Sequence, residues 1–183
     1  MNEVLKAIAA RNSCRNFSSE PLTDEQISAL VNAGLAAPSA VNRQPWHIIV
    51  VTDKALIEEM DKSAMEIFKE SNQELYNRMM ERGGSVFYNA PCIIYVAKDD
   101  SDWATLDCGI VTQNIALAAH SLGLGNVICG MANAPLNGPK GDDFKKRIKL
   151  PMGYSFGMSI CIGKAISGKE PHELDPQKVT YVK

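Results

Sequence analysis

The sequence lacks the cysteine patterns of a metal-binding or disulfide-stabilised protein. A structural zinc site needs closely spaced cysteine or histidine ligands, and a secreted disulfide framework usually has an even number of cysteines. Here the number is odd, and no CxxC pair or Cys/His ligand spacing occurs among Cys14, Cys92, Cys108, Cys129 and Cys161. The pattern therefore predicts free thiols and no metal, in a reducing compartment for which the cytoplasm is the simplest candidate.

The chain also lacks an excess of charge of either sign. It has 19 Lys and Arg against 21 Asp and Glu, a net charge of −2. Such a balance gives no reason to expect nucleic acid or an anionic membrane as a partner. The N-terminus carries Glu3 and too short an apolar run for a signal peptide. We therefore expect a cytoplasmic protein that binds neither nucleic acid nor membrane.

Charged residues are missing altogether from Cys108 to Pro139. Polar residues such as Gln113 and several glycines interrupt this stretch, which argues against a membrane span. The pattern predicts a helix over residues 103–122 that is buried on nearly all sides. Such a helix needs a large core or a partner subunit around it.

The hydrophobic periodicity predicts helices and a few strands within one domain of residues 1–183. Thr23 and Gln26 fit a capping box at the start of a helix that Pro38 stops. Further helices are predicted at 2–10, 54–82 with a break near Ser71, 103–122 and 142–149, and strands at 46–51, 92–97 and 156–162, with 127–130 a short strand or loop. This order favours an α+β fold, with a small mixed β-sheet flanked by helices, over a doubly wound sheet.

The segment after the first helix is the first candidate for chemistry. In an extended chain, Arg11, Ser13 and Arg15 point to one face. Two guanidinium groups and a hydroxyl suit a phosphate, because the guanidinium fork is bidentate and always charged. The alternative interpretation is a solvated basic turn.

Two loops are further candidates. Residues 36–46 combine small residues with two prolines, so a flat ligand can approach the backbone while Ser39 and Asn42 offer polar contacts. Residues 123–131 are not a dinucleotide fingerprint, since no strand precedes them and no helix follows. Their glycines can instead expose backbone N–H groups to a ligand. The alternatives are a plain helix-to-strand connection and a helix C-cap followed by an edge strand.

Four ordered motifs carry a resemblance to a known family. The sequence resembles the short members of the FMN-dependent nitroreductase family, from residue 2 to about residue 165. The motifs are Arg11-x-Ser13-x-Arg15-x-Phe17, Pro38-Ser39-Ala40-x-Asn42-x-Gln44-Pro45-Trp46, Asn114-x-x-Leu117-Ala118-Ala119-x-Ser121-x-Gly123-Leu124-Gly125, and Pro151-x-Gly153-Tyr154 with Ile160-x-Ile162-Gly163.

The resemblance implies an intertwined homodimer that binds two FMN molecules non-covalently at its interface. The segment around Arg11 would hold the phosphate, ribityl chain and pyrimidine edge, and a backbone N–H at Cys129 or Gly130 would point to flavin N5. The implied FMN contacts are Arg11, Asn12, Ser13 and Arg15 from one subunit, Pro38, Ser39, Ala40 and Asn42 mainly toward the other subunit's FMN, and Ile128, Cys129 and Gly130 along the isoalloxazine. Residues 53–85 would form a variable lid, and residues 168–183 a C-terminal arm. The family's usual arginine in that arm is replaced by His172, with Lys169 as a nearby basic substitute.

The implied function is an FMN-dependent oxidoreductase. NAD(P)H would deliver hydride to flavin N5 and leave, and a nitroaromatic, a quinone or a similar acceptor would take its place in ping-pong exchange. The flavin would supply the chemistry, so no catalytic side chain is expected. Two alternatives stay open: a flavin enzyme with a narrower task, such as reductive dehalogenation or ring oxidation, and an FMN-binding protein for storage or sensing without turnover.

Overall fold

The computed structural model describes residues 2–168 and 170–183. Its helices are α1 (Glu3–Ala10), α2 (Asp24–Leu35), α3 (Lys54–Ser71), α4 (Gln73–Glu81), α5 (Ala104–Ser121), α6 (Asn133–Asn137) and α7 (Gly141–Arg147). Its strands are β1 (Trp46–Val51), β2 (Cys92–Lys98), β3 (Gly125–Ile128) and β4 (Ser155–Gly163). Apart from the short helix α6, and β3, for which residues 127–130 were predicted as a short strand or loop, each of these elements was predicted from the sequence to within a few residues.

Local hydrogen bonds explain two helix boundaries. The Thr23 hydroxyl accepts the Gln26 N–H at 3.2 Å, and the Gln26 side chain accepts the Thr23 N–H at 2.9 Å, so the predicted capping box is confirmed. The predicted break near Ser71 is also confirmed. Asn72 has non-helical dihedrals that end α3, and its side chain accepts the Leu75 N–H at 2.9 Å to begin α4.

The four strands form one sheet in the order β1-β2-β4-β3, and all three neighbouring pairs are antiparallel. The α+β class is confirmed, but the strands are not mixed in direction as predicted. Among residues 2–168 and 170–183, parallel pairing is limited to an isolated bridge between Ser13 and Asn126. The alternation of helices and strands along the chain did not determine strand direction, because each connection is long enough to return at either end of the sheet.

The sheet is buried on both faces, which makes the fold a sandwich of three layers. Alternate residues of β2 point in opposite directions. Ile93 and Tyr95 face a core formed with α3, α4, α6 and α7, whereas Ile94 and Val96 face a second core formed with α2 and α5. All seven residues of β2 but the last are buried, so this strand is the centre of the molecule.

Helix α5 covers the second face with one side only. Val111 and Ile115 are fully buried against the sheet, whereas Leu106 is 59% exposed. Burial on nearly all sides is therefore wrong for a single chain, although the helix has the predicted position. Helix α1 packs on α5 and leaves Val4 and Ile8 at least half exposed, which extends the open apolar surface. No described helix is both long and apolar enough to cross a membrane.

Candidate functional site

The segment that follows α1 is held in an extended form by two distant parts of the chain. Ser13 forms its bridge with Asn126, and the Cys14 N–H donates to the Asn126 carbonyl at 2.9 Å. Phe17 forms an antiparallel bridge with Ala165, just beyond β4. Cys14 and Phe17 are buried, whereas Arg11, Asn12, Ser13 and Arg15 are partly exposed. The extended conformation expected for this segment is thus observed, with its predicted ligands on the accessible side.

Two residues at the start of β3 allow this close approach. A Cβ atom on Gly125 would lie 3.0 Å from the Cβ and Sγ atoms of Cys14 and 3.0 Å from the Cβ of Ala165. Glycine is therefore required here because a side chain would crowd its neighbours, and not because of an unusual φ angle. The buried Asn126 side chain donates to the Ala116 carbonyl at 3.1 Å and so ties β3 to helix α5.

Arg15 has hydrogen-bonding capacity that the described residues do not satisfy. Its Nη1 donates a long hydrogen bond of 3.5 Å to the Ser13 carbonyl, and its buried Nε has no partner within residues 2–168 and 170–183. The Tyr88 phenol lies beside it. Burial raises the pKa of Tyr88, and the hydrogen bond with Arg15 opposes that rise. Tyr88 was not singled out in the sequence, where nothing distinguishes it from a core aromatic residue.

At the end of β3, one of the two predicted backbone donors is already in use. The Cys129 N–H donates to the Ser159 carbonyl at 2.9 Å, and the Ser159 hydroxyl donates back to the Cys129 carbonyl at 2.6 Å. Among the described residues, no hydrogen bond uses the Gly130 N–H, and a Cβ on Gly130 would meet nothing within 4 Å. Of the pair, Gly130 is the one free to serve a ligand, with Ile128 partly exposed beside it.

The Cys129 thiol is buried and hydrogen-bonded rather than presented to solvent. Its Sγ donates to the Val86 carbonyl at 3.4 Å. A hydrogen bond from the Cys161 thiol lowers the pKa of Cys129, and burial raises the pKa of Cys161. All five cysteines are free and buried. No His, Cys, Asp or Glu group of three or more suited to a metal occurs in the part of the chain that the structure describes.

The second predicted loop lies far from the first segment in the same chain. Residues 38–42 precede β1, whose first residue Trp46 pairs with Lys98 at one end of the sheet. Asn126 pairs with Ile162 at the other end and near the opposite edge. Strand rise and strand spacing place Trp46 and Asn126 roughly 25 Å apart. One chain therefore does not bring the Pro38, Ser39, Ala40 and Asn42 loop to the Arg11–Arg15 segment.

The loop itself is shaped by backbone turns. Val41, Asn42 and Gln44 all have positive φ angles, of 48°, 54° and 51°. The Ser39 hydroxyl accepts the Gln44 N–H at 2.9 Å, which fixes the turn. Val41 is almost fully exposed at its tip. The loop is a projecting, low-profile surface that no other described part of this chain covers.

The C-terminal contribution is only partly visible. Lys169 lies outside the described residues, and His172 is exposed in a tail whose residues 170–183 are all exposed. A hollow of about 200 Å³ lies beside the first segment, lined by Asn12, Gly125 and Ala165 among others. A cavity of about 520 Å³ lies elsewhere, and none of the predicted cofactor residues lines it.

Comparisons with known proteins identify the family and the fold. A model of the Nitroreductase family matches residues 8–164. The crystal structure of a nitroreductase with bound FMN from Desulfitobacterium hafniense DCB-2 superposes with a TM-score of 0.96 at 45% identity, covering 100% of both chains. That of a nitroreductase with bound FMN from Bacteroides fragilis superposes with a TM-score of 0.88 at 24% identity, covering 100% of both chains, which shows the fold alone.

Two curated relatives are similar in sequence. A protein of Archaeoglobus fulgidus named as an NADH dehydrogenase/NAD(P)H nitroreductase is 34% identical over 72% of this chain and 69% of its own length. The NADPH-flavin oxidoreductase of Vibrio harveyi is 34% identical over 89% of this chain and 66% of its own length. The chain thus spans about two thirds of the length of these curated relatives.

Proposed function

The chain belongs to the nitroreductase family, and on that premise we propose that it is an oxidoreductase that binds FMN non-covalently and uses NAD(P)H to reduce small acceptors. The observation that carries the proposal is the Arg11–Arg15 segment, clamped in extended form against β3 with its cationic side accessible. The Desulfitobacterium structure of the same fold contains FMN.

The donors present in this chain fit an FMN molecule. A phosphate needs charge-assisted donors, which Arg11 and Ser13 supply with the neighbouring Asn12. A flavin pyrimidine edge is rich in acceptors, and the buried, unpartnered Nε of Arg15 is a donor without an acceptor in the described chain. The Gly130 N–H is a second donor with open space around it. Lys169 is proposed to add a cation near the phosphate.

When bound, FMN supplies the redox chemistry, taking hydride from NAD(P)H and passing it to an acceptor that replaces the nicotinamide in ping-pong exchange. The chain's own part is binding and electrostatics. The Arg15 guanidinium places a fixed positive charge at the site, which favours a ligand when it carries negative charge. The Tyr88 phenol holds that guanidinium in position. Ile128 and Gly130 are proposed to form a flat wall along the isoalloxazine, since Gly130 has no side chain that would project into it.

Two copies of the chain are proposed to complete each site. The Pro38–Asn42 loop projects from the far end of the sheet, so it reaches an Arg11–Arg15 segment only in another molecule. The open apolar surface of α1 and α5 is the surface that a second copy would cover, since isolated monomers rarely expose such a patch. This arrangement also explains why α5 carries no charge from Cys108 onward.

The C-terminal arm is proposed to reach onto the same partner. Its residues include Val179, Tyr181 and Val182, which are exposed in the single chain. Strand β1 lies at an edge of the sheet, and a hollow of about 420 Å³ runs along residues 47–53. An unpaired edge is a template for an added strand, so the arm of one copy would pair there with the other. Truncation after Gly168 is expected to weaken the dimer in sedimentation measurements.

The acceptor is proposed to be a nitroaromatic, a quinone or a compound of similar shape and electron affinity. The relatives' names support this class, since one is named for NAD(P)H nitroreductase and one for NADPH-flavin oxidoreductase activity. Residues 53–85, which form α3 and α4, are proposed as the lid that selects the acceptor. The five free thiols suit a reducing compartment such as the cytoplasm.

FMN binding to the purified protein tests the proposal. The protein should be yellow, or should quench FMN fluorescence when FMN is added. Arg11→Ala should weaken binding by about 1.5–3 kcal/mol, since a charge-assisted hydrogen bond is lost. Lys145→Ala, which removes a cation from the distant helix α7, is the matched control and should bind FMN as the wild type does. A colourless protein that neither quenches FMN nor gains thermal stability from it contradicts the proposal.

Turnover then separates the catalytic alternatives. Anaerobic mixing with NADH or NADPH should bleach bound FMN, and a nitroaromatic compound or a quinone should restore its colour. Bleaching without turnover of either acceptor would favour an enzyme with a narrower substrate. Bound FMN that neither cofactor bleaches would favour storage or sensing.

A further inference from the structure

A second cavity lies away from all residues proposed to hold FMN. Its volume is about 520 Å³, and it is bounded by the start of α2, the first turns of α3 and the segment 85–91. Its walls are largely apolar, with Leu22, Ile27, Ile57 and Phe87 among the lining side chains. Sites for small organic molecules typically have volumes of about 300–1,000 Å³ and such walls, with a few converging polar groups.

Among the polar groups that line this cavity, the Asp61 carboxylate is held in place by the backbone. Its Oδ1 accepts the Val86 N–H at 2.7 Å and the Phe87 N–H at 3.2 Å, so the side chain is fixed in place by the backbone. The Ser85 hydroxyl is a further hydrogen-bond partner of this carboxylate. Burial raises the pKa of Asp61 despite these hydrogen bonds, so a cationic partner in the cavity would offset the penalty that burial places on the ionised form.

The charges around the cavity are mainly negative. Asp24 and Glu58 line it together with Asp61, and Lys54 is the cation among the lining residues. Lys54 lies 3.7 Å from Glu58 on the same helix, so this pair largely neutralises itself. Asp24 and Asp61 are left without a cationic partner among the salt bridges of the described residues. An anionic ligand is therefore disfavoured, and a cationic ligand is favoured.

We propose that this cavity binds a small organic monocation, with its ammonium group at Asp61 and its apolar body against Ile57 and Phe87. The apolar walls exclude a bare metal ion as the best occupant, since hydrated ions need several oxygen ligands. The carboxylate excludes a purely apolar occupant, because such a ligand would bury the charge without compensating it. An amine with an aromatic or branched aliphatic body satisfies both requirements.

Three probes of nearly equal size test this assignment on the purified full-length protein. Calorimetry or ligand-observed NMR at neutral pH would compare 2-phenylethylammonium, 2-phenylethanol and phenylacetate. The cation should bind saturably, the alcohol more weakly, and the anion least. Asp61→Asn should weaken binding of the cation roughly tenfold, because a charge-assisted contact is lost. The same substitution should change the affinity for the alcohol little. Glu66→Gln, on an exposed part of α3 away from the cavity, should change neither.

A second variant keeps the test decisive if Asp61→Asn disturbs the fold. Leu22→Trp enlarges a partly exposed wall residue and should abolish binding of the cation and the alcohol by filling the space. Far-UV circular dichroism of the same samples reports that the variants are folded whether or not they bind FMN, so failure of this proposal is distinguished from failure of the proposed function. The proposal is overturned if the cation does not saturate, if phenylacetate binds as well, or if Leu22→Trp leaves binding unchanged. Binding that appears only on dilution to monomers would show instead that a second copy fills the cavity.

Discussion

Gly125→Ala should disturb the Arg11–Arg15 segment, which is proposed to bind FMN, through a contact that the structure defines closely. The added Cβ would lie 3.0 Å from the Cβ and Sγ of Cys14 and from the Cβ of Ala165. Real Cβ contacts of this kind are longer, so at least one of the two neighbouring segments must move by a few tenths of an ångström. The segment that carries Ser13 and Arg15 is expected to be the one that moves. Helix α1, which precedes it, is exposed at all its residues but one and therefore holds it less firmly.

The magnitude follows from two separate costs. Overpacking of a well-filled contact usually costs about 1–3 kcal/mol of stability. Displacing Ser13 and Arg15 weakens charge-assisted hydrogen bonds that are worth about 1.5–3 kcal/mol each, and losing half of one would raise the FMN dissociation constant about fivefold. We therefore expect lower stability and weaker FMN binding together.

Gly123→Ala is the matched control. It introduces backbone strain without a steric contact, whereas Gly125→Ala introduces a steric contact. Gly123 has a φ of 72° and nothing within 4 Å of its missing Cβ. The left-handed conformation should cost about 1 kcal/mol of stability with no effect on FMN. Urea unfolding and FMN fluorescence titration would measure both quantities. If Gly125→Ala binds FMN as tightly as Gly123→Ala does, then β3 does not position the Arg11–Arg15 segment.

Two further predictions concern stability. Thr23→Ala removes one side of the α2 capping box and should lower the free energy of unfolding by about 1 kcal/mol. Thr23→Ser keeps the hydroxyl and should lower it by less. Equal losses for the two variants in urea titrations would contradict a stabilising role of the cap. Because burial raises the pKa of Asp61 above 3.8 in the folded protein, its contribution to stability is present at low pH and is lost as the pH rises through the raised value. The stability of the wild type relative to Asp61→Asn should therefore fall as the pH rises above 3.8, and a difference that stays constant with pH in unfolding titrations would contradict the shift.

The elements that the sequence predicted well are those determined by neighbouring residues. The capping box at Thr23 and the helix break at Asn72 depend on hydrogen bonds that span three residues. Local hydrophobic patterns likewise placed β1, β2 and β4, since each of these strands is buried as a continuous or alternating run. Residues 127–130 were predicted only as a short strand or loop, because the pairing of β3 with β4 depends on a distant part of the chain.

What the sequence did not show depends on distant parts of the chain. Strand direction is set by how connections return to the sheet, and no local pattern encodes it. The use of the Cys129 N–H by Ser159 depends on the register of β3 against β4. The uncharged helix α5 predicted burial on nearly all sides, but composition does not distinguish a surface covered by the chain's own core from one left for a second copy. Tyr88 lies beside Arg15 although 73 positions separate the two residues in the sequence, so no local pattern indicates the contact.

The two bridges that hold residues 11–17 in place have a consequence for biosynthesis. Ser13 and Phe17 are made first, and their partners Asn126 and Ala165 are made more than a hundred residues later. Arg11 and Arg15 therefore have no template to lie on until the chain has been extended at least to β3. Because the long-range pairing can form only when both partners exist, a nascent chain stalled before Asn126 would be unable to hold these arginines in the extended form.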